Sequence, residues 1–181
     1  MKALLVSLGI CAAAVAVFPA RSAILTVGNS LARTCFESAK ARAQSPSNLT
    51  DCNRALTEAL SREDRVATLV NRGILRLIGN NYVGANRDFD EAIALDPSQP
   101  EAWINKAILT VQQANSAGAV PLVDRALALK TSKPALAYYV RGIAHEDAGN
   151  IKAAYADLLQ ARNLAPGWNE PVEQLQRFRV R

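Results

Sequence analysis

The chain has 181 residues, of which 50% are hydrophobic and 20% charged, with a formal net charge of +5. This length and composition favour a single folded domain and exclude an intrinsically disordered chain. Aromatic residues are sparse, and no stretch alternates β-branched residues as a strand does. We therefore expect an all-α protein, and the small positive charge gives no reason to expect nucleic acid as a partner.

The first 22 residues have the composition of a secretory signal peptide. Lys2 precedes an uncharged apolar run, Ala3 to Phe18, and the small residues Ala20 and Ser22 follow at the spacing that a signal peptidase reads. We expect cleavage after Ser22, which makes the mature chain (23–181) periplasmic or secreted. The alternative is an uncleaved inner-membrane signal anchor, although the run is shorter than the roughly 20 apolar residues that span a bilayer.

Two cysteines remain after this cleavage, in a segment, 23–64, that we expect to fold as an N-terminal helical hairpin. Cys35 lies on the apolar face of a first predicted helix and Cys52 on that of a second, with turn-forming residues at 43–47 between them. Because the cysteines are about equally far from that turn, an antiparallel hairpin brings their sulfurs to the same level. We predict a Cys35–Cys52 disulfide, as is usual for a cysteine pair in an exported chain. A redox or metal role is the alternative, and it lacks a CxxC pair or nearby histidines.

From residue 65 to 166 the sequence repeats with a period of 34 and then 35 residues. Ala85, Ala119 and Ala154 mark the same position in three units, 65–98, 99–132 and 133–166. Repeats of this length are helix–turn–helix units that bury their apolar faces only by stacking on one another. The hairpin at 23–64 has the character of a degenerate repeat, and residues 167–181 are expected to form a capping helix followed by a basic tail.

The order of large and small residues in these units resembles that of tetratricopeptide repeats. The matching positions are Leu69, Gly73, Ala85, Phe89, Ala92 and Pro97 in the first unit; Trp103, Ala107, Ala119, Val123 and Ala126 in the second, with Thr131 in place of proline; and Tyr138, Gly142, Ala154, Leu158, Ala161 and Pro166 in the third. The resemblance implies a right-handed α-solenoid of antiparallel helix pairs, with eight to nine helices including the terminal cap. The small residues stand where the two helices of a unit cross closely.

Two positions depart from the family pattern. Leucine is usual at the first and tyrosine at the second; here they hold Arg72, Lys106 and Arg141, and Arg76, Thr110 and His145. Asp88 follows Arg72 by sixteen residues and Asp157 follows Arg141 by sixteen, whereas Leu122 takes this place in the second unit. We interpret these positions as solvated edges of the repeats, with ion pairs that are worth about 0–1 kcal/mol if exposed.

The sequence shows no arrangement of residues that suggests catalysis. It has one histidine and no glycine-rich phosphate loop. We therefore expect a non-enzymatic protein that uses no cofactor, metal or small-molecule substrate. An enzyme whose site carries no recognisable motif is a rival interpretation.

The resemblance also implies that the first helices of the units line a concave groove. The predicted lining is apolar and is flanked by two asparagines that can hydrogen-bond a peptide backbone: Val70, Ile74, Ile104, Ile108, Tyr139 and Ile143, with Asn71 and Asn105. Two interpretations are open, since these side chains either line a groove for a peptide or helix or pack helix against helix. We accordingly predict a protein–protein interaction scaffold of the periplasm or cell envelope. The alternative is a structural or self-associating subunit of an envelope complex, with the groove filled.

Overall fold

The computed structural model describes residues 30–42 and 46–178. The predicted signal segment, its cleavage site and the last three residues lie outside these ranges. Within them the chain forms nine α-helices and no strand, which confirms the all-α solenoid. The helices are α1 (Ser30–Lys40), α2 (Pro46–Thr57), α3 (Arg62–Ile78), α4 (Tyr82–Leu95), α5 (Pro100–Gln112), α6 (Ser116–Ala128), α7 (Pro134–Asp147), α8 (Ile151–Leu164) and α9 (Asn169–Leu175).

The turns inside the three helix pairs share one backbone step. Asn80, Ala114 and Gly149 occupy equivalent positions and have φ angles of 58°, 59° and 78°. Asn81 and Asn115 then cap α4 and α6, because their side-chain oxygens accept the backbone N–H three residues on, at 2.9 and 3.2 Å. In the second unit, Ala114 therefore adopts a left-handed conformation that glycine, as at Gly149 in the third unit, adopts at lower cost.

Between the second and third units the chain has no proline, and a buried carboxylate holds the linker. Pro97 and Pro166 follow the ends of α4 and α8, but the equivalent position after α6 is Thr131. Glu101 is buried, and it accepts hydrogen bonds from the hydroxyls of Ser132 (2.8 Å) and Thr131 (3.3 Å). These bonds tie the linker to the first turn of α5, so the chain turns there without a proline.

The helices of each pair cross closely at the small residues. A Cβ atom at Gly73 would overlap the ring of Phe89, and one at Gly142 would lie 2.9 Å from Cγ of Leu158. Ala107, in the second unit, has no exposed surface. A larger side chain at any of these positions would push the two helices of a pair apart.

The N-terminal hairpin docks on the first unit as another repeat would. Its two helices are joined by the Cys35–Cys52 disulfide, with the Cα atoms 4.8 Å apart and both cysteines fully buried. Arg72 donates to the side-chain oxygen of Asn53 in α2 (2.9 Å).

The same backward contact recurs between the later units. Lys106 in α5 pairs with Asp90 in α4, and Arg141 in α7 pairs with Asp124 in α6 at 2.5 Å. A cation at one position of each first helix therefore links each unit to the one before it.

Trp168, which precedes α9, closes the C-terminal end of the solenoid. Its side chain is 2% exposed, and its ring centroid lies 4.8 Å from that of Tyr139 in α7. Leu175 and Phe178 also pack against the core, and Arg177 forms an ion pair with Glu146 of α7 at 2.8 Å. This segment covers the last unit, as the end of a solenoid requires.

Candidate functional site

The candidate site is the face of α3, α5 and α7 that was predicted to line a groove; we call it the inner face. Gly73 marks the side of α3 that meets α4, and successive residues of a helix are turned by about 100°. Ile74 and Asn71 therefore point away from α4, and Val70 and Ile78 continue the row at intervals of four residues. Equivalent rows are Ile104, Ile108 and Gln112 on α5, and Tyr139, Ile143 and Asp147 on α7.

All eight predicted lining residues are buried. Val70, Asn71, Ile74, Ile104 and Asn105 have no exposed surface, and Ile108, Tyr139 and Ile143 are each 3% exposed. The six apolar side chains belong to one hydrophobic cluster that runs through all three units. The structure therefore holds this face in a dry, packed form and not as a solvated groove.

The asparagines of the inner face are engaged with the protein itself. Asn105 donates from Nδ2 to the backbone carbonyl oxygen of Glu101, one turn earlier in α5, at 2.8 Å. In the structure this donor is therefore used within its own helix. Asn71, at the equivalent position of α3, is likewise buried.

What covers the inner face differs along its length. At α7 the cover is Trp168, whose ring is tilted against that of Tyr139. Along α3 and α5, the described helices that pack on the row are only its neighbours in the solenoid, α1 to α7. The rows become more exposed toward the C-terminal ends of the helices, where Ile78 and Gln112 are half-buried and Asp147 is exposed. The inner face is thus dry in the middle and reaches solvent at one end.

The positions predicted as solvated edges are half-buried, and the carboxylates that pair with Arg72 and Arg141 are buried. Asp88 has no exposed surface and accepts from Nε and Nη2 of Arg72 (3.0 and 2.6 Å) and from Nη1 of Arg76 (2.6 Å). The predicted ion pairs within the repeats are present, but the carboxylate lies between α3 and α4. The physical reason is that an arginine can keep its stem along apolar surface while its head reaches a carboxylate on the next helix.

The third unit repeats this arrangement with one change. Arg141 donates from Nε and Nη2 to the carboxylate of Asp157, at 2.7 and 2.8 Å. His145 stands where the first unit has Arg76, and its Nε2 lies 3.9 Å from the Asp157 carboxylate, which is beyond hydrogen-bonding distance. Its buried Nδ1 has no hydrogen-bond partner among the described residues.

Burial also changes the acid–base properties of the inner face near the cap. It is the main cause that raises the pKa of Tyr139 from 10.0 to about 12, with the charges of Glu170, Glu146 and Glu173 acting in the same direction. Burial likewise raises the pKa of Glu146, which the charge of Arg177 partly offsets. Both groups are acids whose neutral form is favoured by their surroundings.

The described residues form neither a metal site nor a membrane-spanning helix. No group of three histidine, cysteine, aspartate or glutamate side chains in 30–42 and 46–178 is placed to hold a metal ion. Over the same ranges, each helix is too short or too polar to cross a bilayer.

By sequence, no family model and no curated protein matches the chain. By structure, it is similar to the first TPR domain of human RPAP3, with a TM-score of 0.59 and 22% identity over 62% of this chain and 88% of that one. It is also similar to the TPR domain of Arabidopsis OM64 (TM-score 0.61, 22% identity, 65% and 96% covered) and to MamA from Desulfovibrio magneticus RS-1 (0.64, 18%, 81% and 82%).

The chain has the fold of a TPR domain. The predicted resemblance is therefore confirmed at the level of the fold, which is as far as identities below 25% extend.

Sequence reasoning missed two features of this TPR fold. Trp168 lies outside the repeat register, so no periodic signal marked it as a core residue, although it is among the largest fully buried side chains. The backward contacts of Arg72, Lys106 and Arg141 were also missed. A signal for them was present, because Asp90 and Asp124 occupy equivalent positions in successive units.

Proposed function

We propose that this protein is a non-enzymatic interaction scaffold of the bacterial periplasm or cell envelope, and that its inner face holds an apolar segment of a partner protein. The observation that carries the proposal is the apolar row shared by α3, α5 and α7. Six large aliphatic or aromatic side chains line this face in three successive units, and none of them is charged. A helix presents such a stripe to a partner when the partner is itself an apolar or amphipathic helix.

The location rests on two features of different kinds. The predicted signal segment, 1–22, directs export, and the Cys35–Cys52 disulfide is of a kind that persists in oxidising compartments. Neither feature identifies the partner. That the partner segment is apolar is inferred from the inner face alone.

The burial of the inner face favours one alternative, in which the chain is a structural or self-associating subunit. In that case the occupant of the face is permanent and is supplied by another copy or by a fixed neighbour in an envelope complex. Permanent occupancy predicts that the exported protein is never recovered with a solvated inner face.

Photo-crosslinking in cells that export the protein tests the proposal. Gln112 ends the α5 row and is half-buried, so a photoreactive amino acid there reaches an occupant without replacing a core residue. Gln160 is an exposed residue of the same type on α8 and provides the matched control. We expect adducts at position 112 and none at 160, with the crosslinked peptide mapping to an apolar segment of another protein.

The other results separate the alternatives. Adducts of the chain with itself at position 112 would support the self-associating subunit. Equal labelling at the two positions, or a crosslinked peptide that is polar and charged throughout, would rule out a specific apolar binding face.

A further inference from the structure

We infer that the outer side of α8 is a second interaction surface, which binds an acidic amphipathic helix of a partner protein. The surface consists of Ile151, Tyr155 and Leu159, one helical turn apart, with the cations Lys152 and Arg162 near its two ends; we call it the α8 surface. It lies in the layer of second helices at the C-terminal end of the solenoid. It is therefore separate from the inner face and goes beyond the proposed function.

In the second unit, the next unit covers the equivalent row of side chains. Ser116 corresponds to Ile151; it is buried, and its hydroxyl donates to the carboxylate of Asp147, the last residue of α7, at 2.7 Å. Val120 corresponds to Tyr155, and it packs against the hydrophobic cluster of the solenoid. This row of a second helix is thus a contact surface where another unit follows.

After α8 the equivalent cover is incomplete. α9 packs on α8 as the next first helix would, but it has 7 residues, whereas α3, α5 and α7 have 17, 13 and 14. Phe178, just beyond α9, contacts Tyr155, with the ring centroids 5.9 Å apart. Even so, Tyr155 is 39% exposed and Ile151, at the start of α8, is 53% exposed. The short α9 therefore leaves the first half of α8 in solvent.

The α8 surface differs from a simple polar cap. A terminal repeat that serves only to keep a solenoid soluble presents a polar outer face. Here Ile151, Tyr155 and the half-buried Leu159 follow one another at intervals of four residues, which is the spacing of the ridge along which a second helix packs. An exposed apolar stripe with a polar rim is typical of a protein interaction site, and this one fits a helix with an apolar stripe of its own.

The charges of the α8 surface favour an acidic partner. Lys152 and Arg162 are exposed, and no described carboxylate pairs with either of them. The acid of α8, Asp157, is buried and accepts from Arg141. Carboxylates on the partner would therefore meet unpaired cations, which steers its approach and fixes its orientation. A second copy placed symmetrically would bring like charges together, so we assign the surface to a different protein.

Binding of labelled peptides to the oxidised, exported protein, followed by fluorescence anisotropy, tests the inference. Two synthetic helical peptides of about 20 residues have the same leucine stripe and alanine background. One has glutamate at its polar positions, and the other has lysine at the same positions. We expect the glutamate peptide to bind at least about tenfold more tightly than the lysine peptide.

Variants of the protein place the binding on the α8 surface. Ile151→Ser should weaken binding of the glutamate peptide by at least about tenfold, because it removes an apolar contact at the centre of the uncovered part. Val83→Ser on α4 is the matched control, since Val83 is 74% exposed and lies outside the surface. The double change Lys152→Glu and Arg162→Glu should reverse the preference between the two peptides. These side chains are exposed, so helicity and thermal melting should stay unchanged in every variant.

Four results would overturn the inference. They are equal affinity for the two peptides, no binding of the glutamate peptide, binding that Ile151→Ser leaves unchanged, and a dimer of the protein that Ile151→Ser dissociates, since the occupant would then be a second copy. The Gln112 crosslinks concern the inner face and are read separately, so their absence would remove the proposed function and leave the α8 surface standing. Gln160 remains a control in that experiment, because it is turned about 140° from Tyr155 around α8.

Discussion

Among the charged residues that the structure describes, Asp88 has the least exposed side chain. It accepts three hydrogen bonds of 2.6–3.0 Å from Arg72 and Arg76, whose side chains are 14% and 20% exposed. Asp88→Asn keeps the shape but removes the charge, and it turns an amide N–H₂ toward one of the guanidinium groups. Breaking a buried ion pair by removing one partner costs about 3–5 kcal/mol. This is a large share of the total of about 5–15 kcal/mol that stabilises a domain.

Urea unfolding followed by circular dichroism measures this loss. With a slope of about 2 kcal/mol per molar urea, a loss of about 4 kcal/mol lowers the midpoint by about 2 M. Asp90→Asn is the matched control, because Asp90 lies two residues further along α4, is about half exposed and pairs with Lys106. Its effect should be at most about 1 kcal/mol, as for exposed ion pairs. Equal losses for the two variants would refute the idea that burial makes the Asp88 pair important.

Three further predictions concern a turn, the cap and the hairpin. Ala114→Gly should raise the free energy of unfolding by about 1 kcal/mol, because it relieves a left-handed alanine. Gly149→Ala should lower it by a similar amount through backbone strain alone, because a Cβ atom there meets nothing within 4 Å. Urea midpoints that move in the same direction for the two variants would contradict this. Because burial raises the pKa of Tyr139 to about 12, its neutral phenol contributes to the stability of the fold in full below pH 10, and this contribution is lost as the pH rises from 10 to 12. Tyr139→Phe should lack that loss when melting is compared across this range, and an unchanged alkaline profile would show that the phenol is not responsible. The Cys35–Cys52 bond joins residues 17 positions apart, and its reduction should lower the free energy of unfolding by roughly 3 kcal/mol. Thermal melts with and without reductant measure this loss. Identical melts would mean that packing alone holds the hairpin.

The fold followed from the sequence because its signal is periodic. Small residues recur every 34 or 35 positions, and a helix pair can bury its apolar faces only if each crossing is close and each unit stacks on the next. The crossing of Gly73 against Phe89 is the kind of contact that such a pattern implies. The disulfide was predictable for a related reason, since the spacing of Cys35 and Cys52 about one turn fixes their level in a hairpin.

The environment of individual residues was harder to predict. Arg72 departs from the family pattern, and charge alone suggests a solvated edge, yet two guanidinium groups make burial of Asp88 tolerable. Trp168 gave no signal because it occurs once, outside the repeats. Periodicity assigned Ile74 and Ile104 to one face, but a sequence pattern states which side chains share a face and not what lies over it. Their burial was therefore a finding of the structure.

The first and third units differ at the position that faces the buried carboxylate between their two helices. Arg76 and His145 are equivalent, but Arg76 donates to Asp88 and to the carbonyl oxygen of Gly84 (3.2 Å), whereas His145 stops 3.9 Å short of Asp157.

His145→Arg should let a longer side chain reach both Asp157 and the carbonyl of Ala153, which corresponds to Gly84. A hydrogen bond to a charged group contributes about 1.5–3 kcal/mol, so this change should raise the urea midpoint. Arg76→His should lower it, since it leaves Asp88 with Arg72 alone. Both variants change only the side chain that faces the buried carboxylate of its unit. Opposite effects on the urea midpoint would therefore indicate that Arg76 and His145 occupy equivalent positions, which a general tolerance of substitutions would not produce. If His145→Arg lowers the midpoint while Arg76→His leaves it unchanged, the two units do not share the register that links their buried carboxylates.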